Sequence, residues 1–501
     1  MSQSREIELK LELEPGNSGK LTSHPLLAGG PAGAVDQVST YFDTRDGALR
    51  KEGFSLRVRK ARGGFVQTVK QSQGPAAGLF DRPEWETKVE GNSVDFDAAA
   101  ETPLGPLLGK KLRKRLQPLI RVDVRRSVWD LRREGCEIEL VLDEGNVSGR
   151  GNSEAIAEVE LELKHGQAAG LIALARELAR AAPLRLGVLT KAERGYRLAD
   201  GSAGKVLKAE PVQLGLEMSA AAGFAAIAYA CLRHFRLNEP LIVTKQDPGA
   251  LHQGRVAMRR LRSAFTLFRP VIADEAYQQL REEVRWFTDQ LGDARNLDVL
   301  LKRFGRDEAP EAERLRKRLR KERQAAYSRV LGALASERLR MLMIDMVGWV
   351  ETGAWRETND MARLPLPDYA RAQLDKRWRK VKKGGKALAT LEPEPRHQLR
   401  IEVKKLRYAV EFLASLTRGE AALQRQAAFV AALEEMQEQL GELNDIETAR
   451  NLLTNLLSDE EDTEITGFVG DRLALPESEE VQLSAAQKAH AALLEAGPFW
   501  R

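Results

Sequence analysis

Cysteine is almost missing from this chain. Only Cys136 and Cys231 occur among 501 residues, far apart, which excludes a disulfide framework and a cysteine-based zinc site. Aromatic residues make up 6% of the chain, which leaves few platforms for stacking unpaired bases, so nucleic acid is not the expected partner. No apolar run approaches the roughly 18 residues that cross a bilayer. The opening residues MSQSREIELKLELE alternate charge with apolarity and lack the apolar core of a signal peptide. A cytoplasmic chain without a membrane partner is the expectation. An excess of one charge is also missing: 78 Lys and Arg face 73 Asp and Glu, a net +5. Any argument for a charged partner must therefore rest on local clusters.

Two periodicities are present instead. Up to about residue 200 the period is two, in EIELKLEL, SLRVRK, FVQTVK, RPEWETKVE, EIELVLD and AEVELELK, with glycine- or proline-containing turns between. Such strands predict an antiparallel barrel or sandwich, interrupted by a helix near 167–181. Residues 201–214 have linker composition. From 215 to 501 the period is 3.6 and the expectation is all-helical. The expected fold is thus α+β in two domains, 1–200 and 215–501, in keeping with a length too great for one ordinary core.

The alternating strands carry charge on one face and apolar residues on the other. Glu6, Glu8 and Lys10 project together, opposite Ile7, Leu9 and Leu11; Arg57 and Arg59 oppose Leu56 and Val58; Glu158, Glu160 and Glu162 oppose Val159, Leu161 and Leu163. Like charges two apart on several strands are unfavourable unless something neutralises them. If these faces turn inward, a lumen results with an acidic wall and a basic wall. Arginine and lysine would hold phosphate oxygens there, and clustered carboxylates a hard divalent cation bridging to those phosphates.

Glu6-Ile7-Glu8-Leu9-Lys10 resembles the ExExK signature of the CYTH, or triphosphate tunnel metalloenzyme, superfamily, and the series continues in order. Tyr41-Phe42-Asp43-Thr44 resembles its YFDT turn, Leu56-Arg57-Val58-Arg59 its LRxR strand, Gln67-Thr68-Val69-Lys70 its QTxK strand, and Arg82-Pro83-Glu84-Trp85-Glu86 its R-x-E-x-E strand. Arg126, Leu142-Asp143-Glu144-Gly145, residues 158–162 and Lys191-Ala192-Glu193-Arg194-Gly195-Tyr196 complete the set. Pro83 fits an edge or bulge. The resemblance implies an eight-stranded tunnel that takes an inorganic or nucleotide triphosphate with Mg2+ or Mn2+. It implies substrate binding by Arg57, Arg59, Lys70, Arg82, Glu84, Arg126 and Lys191, and metal binding by Glu6, Glu8, Asp143, Glu158, Glu160 and Glu162. Among these, with Lys10, the catalytic group would be Glu6, Glu8, Lys10, Lys70 and Lys191. Arg126 is favoured over Arg125 as the inward residue, because a slip of one residue swaps faces. Hydrolysis of inorganic triphosphate is the leading expectation. Adenylate cyclase, thiamine triphosphatase, nucleoside triphosphatase and a non-catalytic polyphosphate binder share the same motifs.

The second half is written twice. HQGRVAMRRLRSAFTLF at 252–268 aligns without a gap with HQLRIEVKKLRYAVEFL at 397–413. Offsets 0, 3, 7 and 10 carry His252, Arg255, Arg259 and Arg262, then His397, Arg400, Lys404 and Arg407, within a helical arc of about 80°. Apolar residues at offsets 6, 9, 13 and 16 form a separate core stripe. Leu291-Gly292-Asp293 and residues 296–298 echo Leu440-Gly441-Glu442 and residues 445–447. Two helical bundles with pseudo-twofold symmetry are expected, with Gly254 loosening the first motif helix and Arg377 among further bases beside the second. HxxRVxxRRLR, its copy and LGDARNLDVL resemble the CHAD domain, which implies inorganic polyphosphate binding along the two basic stripes.

Overall fold

The computed structural model describes residues 2–61, 63–72, 74, 76–390, 392–457, 463–473 and 476–501. They form two compact units. The first runs to Leu207 and includes Arg236–Leu241 and Ala335–Gly353; the second comprises Lys208–Phe235, Ile242–Leu334 and Ala354–Arg501.

In the first unit, β1 (Ser2–Glu12), β2 (Gly33–Asp43), β3 (Phe54–Ala61), β4 (Gly64–Gln71), β5 (Leu79–Val89), β6 (Gln117–Arg133), β7 (Cys136–Gly149) and β8 (Asn152–His165) pair antiparallel. β1 closes the ring by splitting its length, Ser2–Leu9 against β5 and Glu8–Glu12 against β8. Of the barrel or sandwich that the alternation allows, this is the barrel, with the eight strands that the family resemblance implies. A further two-residue strand, Arg185–Leu186, adds to β1. Pro83 faces Arg5 on β1, one residue past the last β4–β5 pair at Lys70–Glu84, so its missing N–H falls where that ladder has ended. β6–β7 pairing sets Arg126 opposite Asp143 and leaves Arg125 exposed, which settles the register in favour of Arg126.

With charge turned inward, the apolar faces point out and must be covered. Leu56, Val58, Val69 and Trp85 pack with Ala99, Leu104 and Leu108. Ile120, Val122, Val124, Val147 and Ile156 pack with Ala192, Tyr196 and Leu198 of the helix Lys191–Ala199. The helix Ala168–Ala181 buries Leu171, Ile172, Leu174 and Leu178. The core of this unit is therefore a shell around the barrel.

The turn after β2 shows why its sequence reads as it does. Asp43 is fully buried and its carboxylate accepts from the backbone N–H of Thr44 (2.6 Å), Leu49 (2.9 Å) and Arg50 (3.1 Å) and from the Tyr196 hydroxyl (2.7 Å). Gly47 enters the intervening turn at φ +70°, a region a side chain resists.

The second unit is helical. The motif copies lie on Pro248–Ile272 and Pro393–Leu413, and each is followed by a long helix, Glu275–Arg303 and Glu420–Leu457. Both core stripes are buried: Met258, Leu261, Phe265 and Phe268, and Val403, Leu406, Val410 and Leu413. Phe268 stacks on Tyr369, and Phe224 meets Phe265 and Trp355 edge-on. Two expectations are corrected. The helix runs unbroken through Gly254, where a Cβ would lie 3.2 Å from Ile242 and 3.6 Å from Phe235; the glycine serves close packing and loosens nothing. Arg377 is buried, with its guanidinium donating to Gln373 and to the Thr266 carbonyl, so it belongs to the core and not to a basic surface. Among the described residues no helix is long and apolar enough to cross a membrane.

Asp43→Ala would strand three backbone donors and a hydroxyl inside the fold. It is expected to lower unfolding free energy by about 3 kcal/mol or more, read by urea unfolding, whereas Tyr196→Phe removes one bond and costs about 1–2 kcal/mol.

A charged tunnel as candidate active site

The charged faces of β1, β3, β4, β5, β6, β7 and β8 meet inside the barrel and neutralise one another across strands. Lys70 lies 2.6 Å from Glu6 and 3.2 Å from Glu84. Arg82 reaches Glu8 at 2.5 Å and Glu6 at 3.4 Å. Lys10 contacts Glu160 and lies 3.6 Å from both Glu8 and Glu158. Arg126 grips Asp143 with a two-pronged contact (2.8 and 2.6 Å) and reaches Glu160 at 3.1 Å. Lys191, projecting from the first position of its helix, contacts Asp143 (2.8 Å), Glu160 (2.9 Å) and Glu158.

Among the described residues, Asp143, Glu158 and Glu160 form a convergent acidic group, each offering an oxygen within 4.8 Å of the others. Three convergent carboxylates are hard oxygen donors, the chemistry that suits Mg2+ or Mn2+. Burial alone would raise the Glu160 carboxyl, but Lys10, Lys191 and Arg126 hold it well below the usual range. Asp143 is lowered against the same burial by Lys191 and Arg126, and Glu6 by Lys70 and Arg82. Glu162 is placed elsewhere, 2.7 Å from Lys164, and burial raises its carboxyl.

The far wall is differently balanced. Arg57 and Arg59 share Glu86, at 3.9 and 3.4 Å, and Arg57 also approaches Glu84 at 3.8 Å. The Nε atoms of both arginines are buried without a hydrogen-bond partner. Arg57 and then burial pull the Arg59 guanidinium down to about 10, whereas Arg57 itself is raised against burial by Tyr41, Glu84 and Glu86, so the locally positive field is felt at Arg59, which remains charged at neutral pH. Buried donors in such a field suit an anion. Thr68, which donates to Glu86 at 3.0 Å, and Glu86 itself lie within the quoted motifs, although the resemblance assigns them no role. Both sit two residues from a predicted site residue on the same strand face, and that spacing was the available signal.

In the helical unit, His252, Arg255 and Arg259 are half-buried on one stripe and Arg262 is exposed. Arg295, on the following helix, joins them: burial, then Arg295, Arg259 and Arg255, push the His252 imidazole down to about 4, so it is neutral at pH 7. Gly292 leaves room for the Arg255 guanidinium, which a Cβ would meet at 2.8 Å. His397, Arg400, Lys404 and Arg407 are half-buried on the second stripe. Glu411, within the same motif copy, contacts Arg407 and also reaches Arg260 on the first motif helix. Arg407 also donates to Gln437 at 2.6 Å, and Arg259 to the Tyr408 hydroxyl at 2.6 Å. The side chains at 442 and 445–447, part of the second repeat, lie outside the described residues.

Residues 4–196 match the CYTH domain and residues 226–454 the CHAD domain. The chain is a CYTH domain followed by a CHAD domain. An inorganic triphosphatase from Haemophilus influenzae is 27% identical over 162 residues, 32% of this chain and 45% of that protein, so the match spans less than half of the relative. The crystal structure of the CHAD domain from the plant Ricinus communis has a TM-score of 0.52 at 29% identity, covering 58% of this chain and 98% of that one. A putative adenylyl cyclase from Hippeastrum, described as having a dominant triphosphatase activity, is 18% identical, with a TM-score of 0.31 and coverage of 40% of this chain and 97% of that one.

The lowered carboxylates of the CYTH domain make stability depend on pH with a defined sign. Their ionised forms stabilise the fold fully above the unfolded-state values near about 4. That contribution is lost as pH falls through the depressed folded values. Unfolding free energies measured from pH 6 downward are expected to fall more steeply in the wild-type chain than in Glu160→Gln, which cannot take up the proton.

Proposed function

We propose that the CYTH domain is a metal-dependent triphosphatase that hydrolyses inorganic triphosphate to diphosphate and phosphate, and that the CHAD domain binds inorganic polyphosphate. The observation that carries the first half is the meeting, in one buried lumen, of the Asp143–Glu158–Glu160 group with a wall of cations whose buried donors are not all used.

Asp143, Glu158 and Glu160 would hold Mg2+ or Mn2+, with Glu6 and Glu8 on the neighbouring strand. The bound ion supplies charge neutralisation of the phosphates and a lowered pKa for attacking water. Arg57 and Arg59 bind the end of the chain remote from the carboxylates, through donors that Glu86 leaves unused. Lys70, Arg82 and Arg126 line the path between, each oriented beforehand by a carboxylate, so little rearrangement is needed as charge shifts during phosphoryl transfer. Lys10 and Lys191 keep the acidic wall neutral. The tunnel excludes bulk water from most of these contacts, which strengthens them.

Glu158→Gln combined with Glu160→Gln is expected to reduce metal-dependent phosphate release from tripolyphosphate on the order of 100-fold or more, while the full-length chain retains polyphosphate. A panel of tripolyphosphate, ATP, thiamine triphosphate and long-chain polyphosphate, each with Mg2+ and Mn2+, identifies the substrate. Preferential turnover of ATP to a cyclic product would replace the hydrolase reading with a cyclase. For the CHAD domain, Arg259→Glu with Lys404→Glu should weaken polyphosphate binding, and wild-type affinity should fall steeply with salt through counterion release. Unchanged affinity in that double variant would place the ligand elsewhere.

A further inference from the structure

Lys191 breaks a local rule. It occupies the first position of the helix Lys191–Ala199, behind a capping box made by Thr190 and Glu193, where the helix dipole disfavours positive charge. Departures of this kind cluster where function overrides stability. Its side chain is buried, and its ammonium contacts Asp143, Glu158 and Glu160 together. These are the three carboxylates whose oxygens converge. The ammonium thus stands at the centre of the group best suited to a divalent cation.

Charge balance makes that position consequential. Arg126 and Lys10 flank the same group, so three carboxylates already face three cations. Adding a divalent ion overcharges the group unless a resident cation leaves or anions arrive. Arg126 is held by a planar two-pronged contact with Asp143, a geometry that resists release. Lys191 has single-point contacts on a flexible stem. Its backbone is nevertheless fixed: a Cβ on Gly195 would lie 2.2 Å from Ile120, and Tyr196 is tied to Asp43. The ammonium can swing while the helix stays in place.

We propose that Lys191 is a tethered counter-ion that holds the cation position of Asp143, Glu158 and Glu160, and that a divalent ion entering the group displaces it onto the phosphate chain. This rests on the metal-dependent reading above and adds an ordering to it. The displaced ammonium needs an anionic partner, so divalent ion and triphosphate bind cooperatively, each raising the affinity of the other by the same factor.

The test is Mn2+ binding to the full-length protein, followed by the electron paramagnetic resonance of free Mn2+, with and without a methylene-bridged triphosphate analogue. The wild-type chain is expected to bind Mn2+ weakly alone and about ten-fold or more tightly with the analogue. Lys191→Met, which removes the charge and keeps the bulk, is expected to bind Mn2+ about ten-fold more tightly without the analogue and to lose most of the gain on adding it. Lys191→Gln makes the same prediction should the methionine variant not fold, and Lys191→Arg, which keeps the charge and grips carboxylates with two prongs, should bind Mn2+ no more tightly than wild type without the analogue. Mn2+ binding by Lys191→Met no tighter than wild type, with Glu158→Gln and Glu160→Gln still abolishing it, would overturn the counter-ion role alone. A wild-type chain that binds no Mn2+ in either condition would overturn the metal-dependent reading together with it.

Discussion

The mutual neutralisation of buried cations and carboxylates inside a closed barrel is the constraint on which the CYTH domain depends. Ionised groups held away from water are costly unless paired, and here the partners come from different strands: Lys70 on β4 with Glu6 on β1, Arg126 on β6 with Asp143 on β7 and Glu160 on β8. The pairings hold only if the sheet closes in one register, because a slip of one residue would turn every charge outward and every aliphatic residue inward. The charged lumen therefore selects the fold as much as the fold creates the lumen. Its inversion of the usual barrel, with apolar residues outside, explains why helices and loops must wrap the strands.

A network that satisfies itself is also primed to exchange partners. The carboxylate group and the Arg57–Arg59 wall differ in kind: the first is saturated with cations, whereas the second keeps buried guanidinium Nε atoms without acceptors. The proposed occupant, a phosphate chain with a divalent ion, would replace internal pairs by ligand pairs of the same type. The desolvation of the charged groups has already been met by folding, and binding draws on preorganised donors and acceptors.

Much of this was legible in the sequence because strand alternation maps directly onto faces. Glu6, Glu8, Lys10, Arg57 and Arg59 follow from period two alone once closure is assumed, Lys70 and Arg82 enter only through the family resemblance, and the helical stripes follow from period 3.6. What was not legible depended on long-range pairing. Nothing in the spacing of Glu158, Glu160 and Glu162 says that the first two join Asp143 while the third turns to Lys164. Glu411 lies within the second motif copy, four residues beyond Arg407, so that pair follows from helical spacing; its contact with Arg260 on the other motif helix does not. Gly254 reads as a weak helix former locally and proves to be a packing site, because the approach of Phe235 is a tertiary fact. Arg377 was misread for the same reason, since burial of an arginine depends on the carbonyls that receive it.

The central claim is that the inner wall binds a metal–triphosphate chain end to end. Crystals of the full-length protein grown with Mn2+ and a methylene-bridged triphosphate analogue, with data collected at the manganese absorption edge, test it most directly. The account predicts an anomalous peak about 2.2 Å from oxygens of Asp143, Glu158 and Glu160, with the phosphate chain extending inside the barrel toward Arg57 and Arg59. Manganese and analogue bound on the outer surface, with the lumen's ion pairs intact, would contradict it.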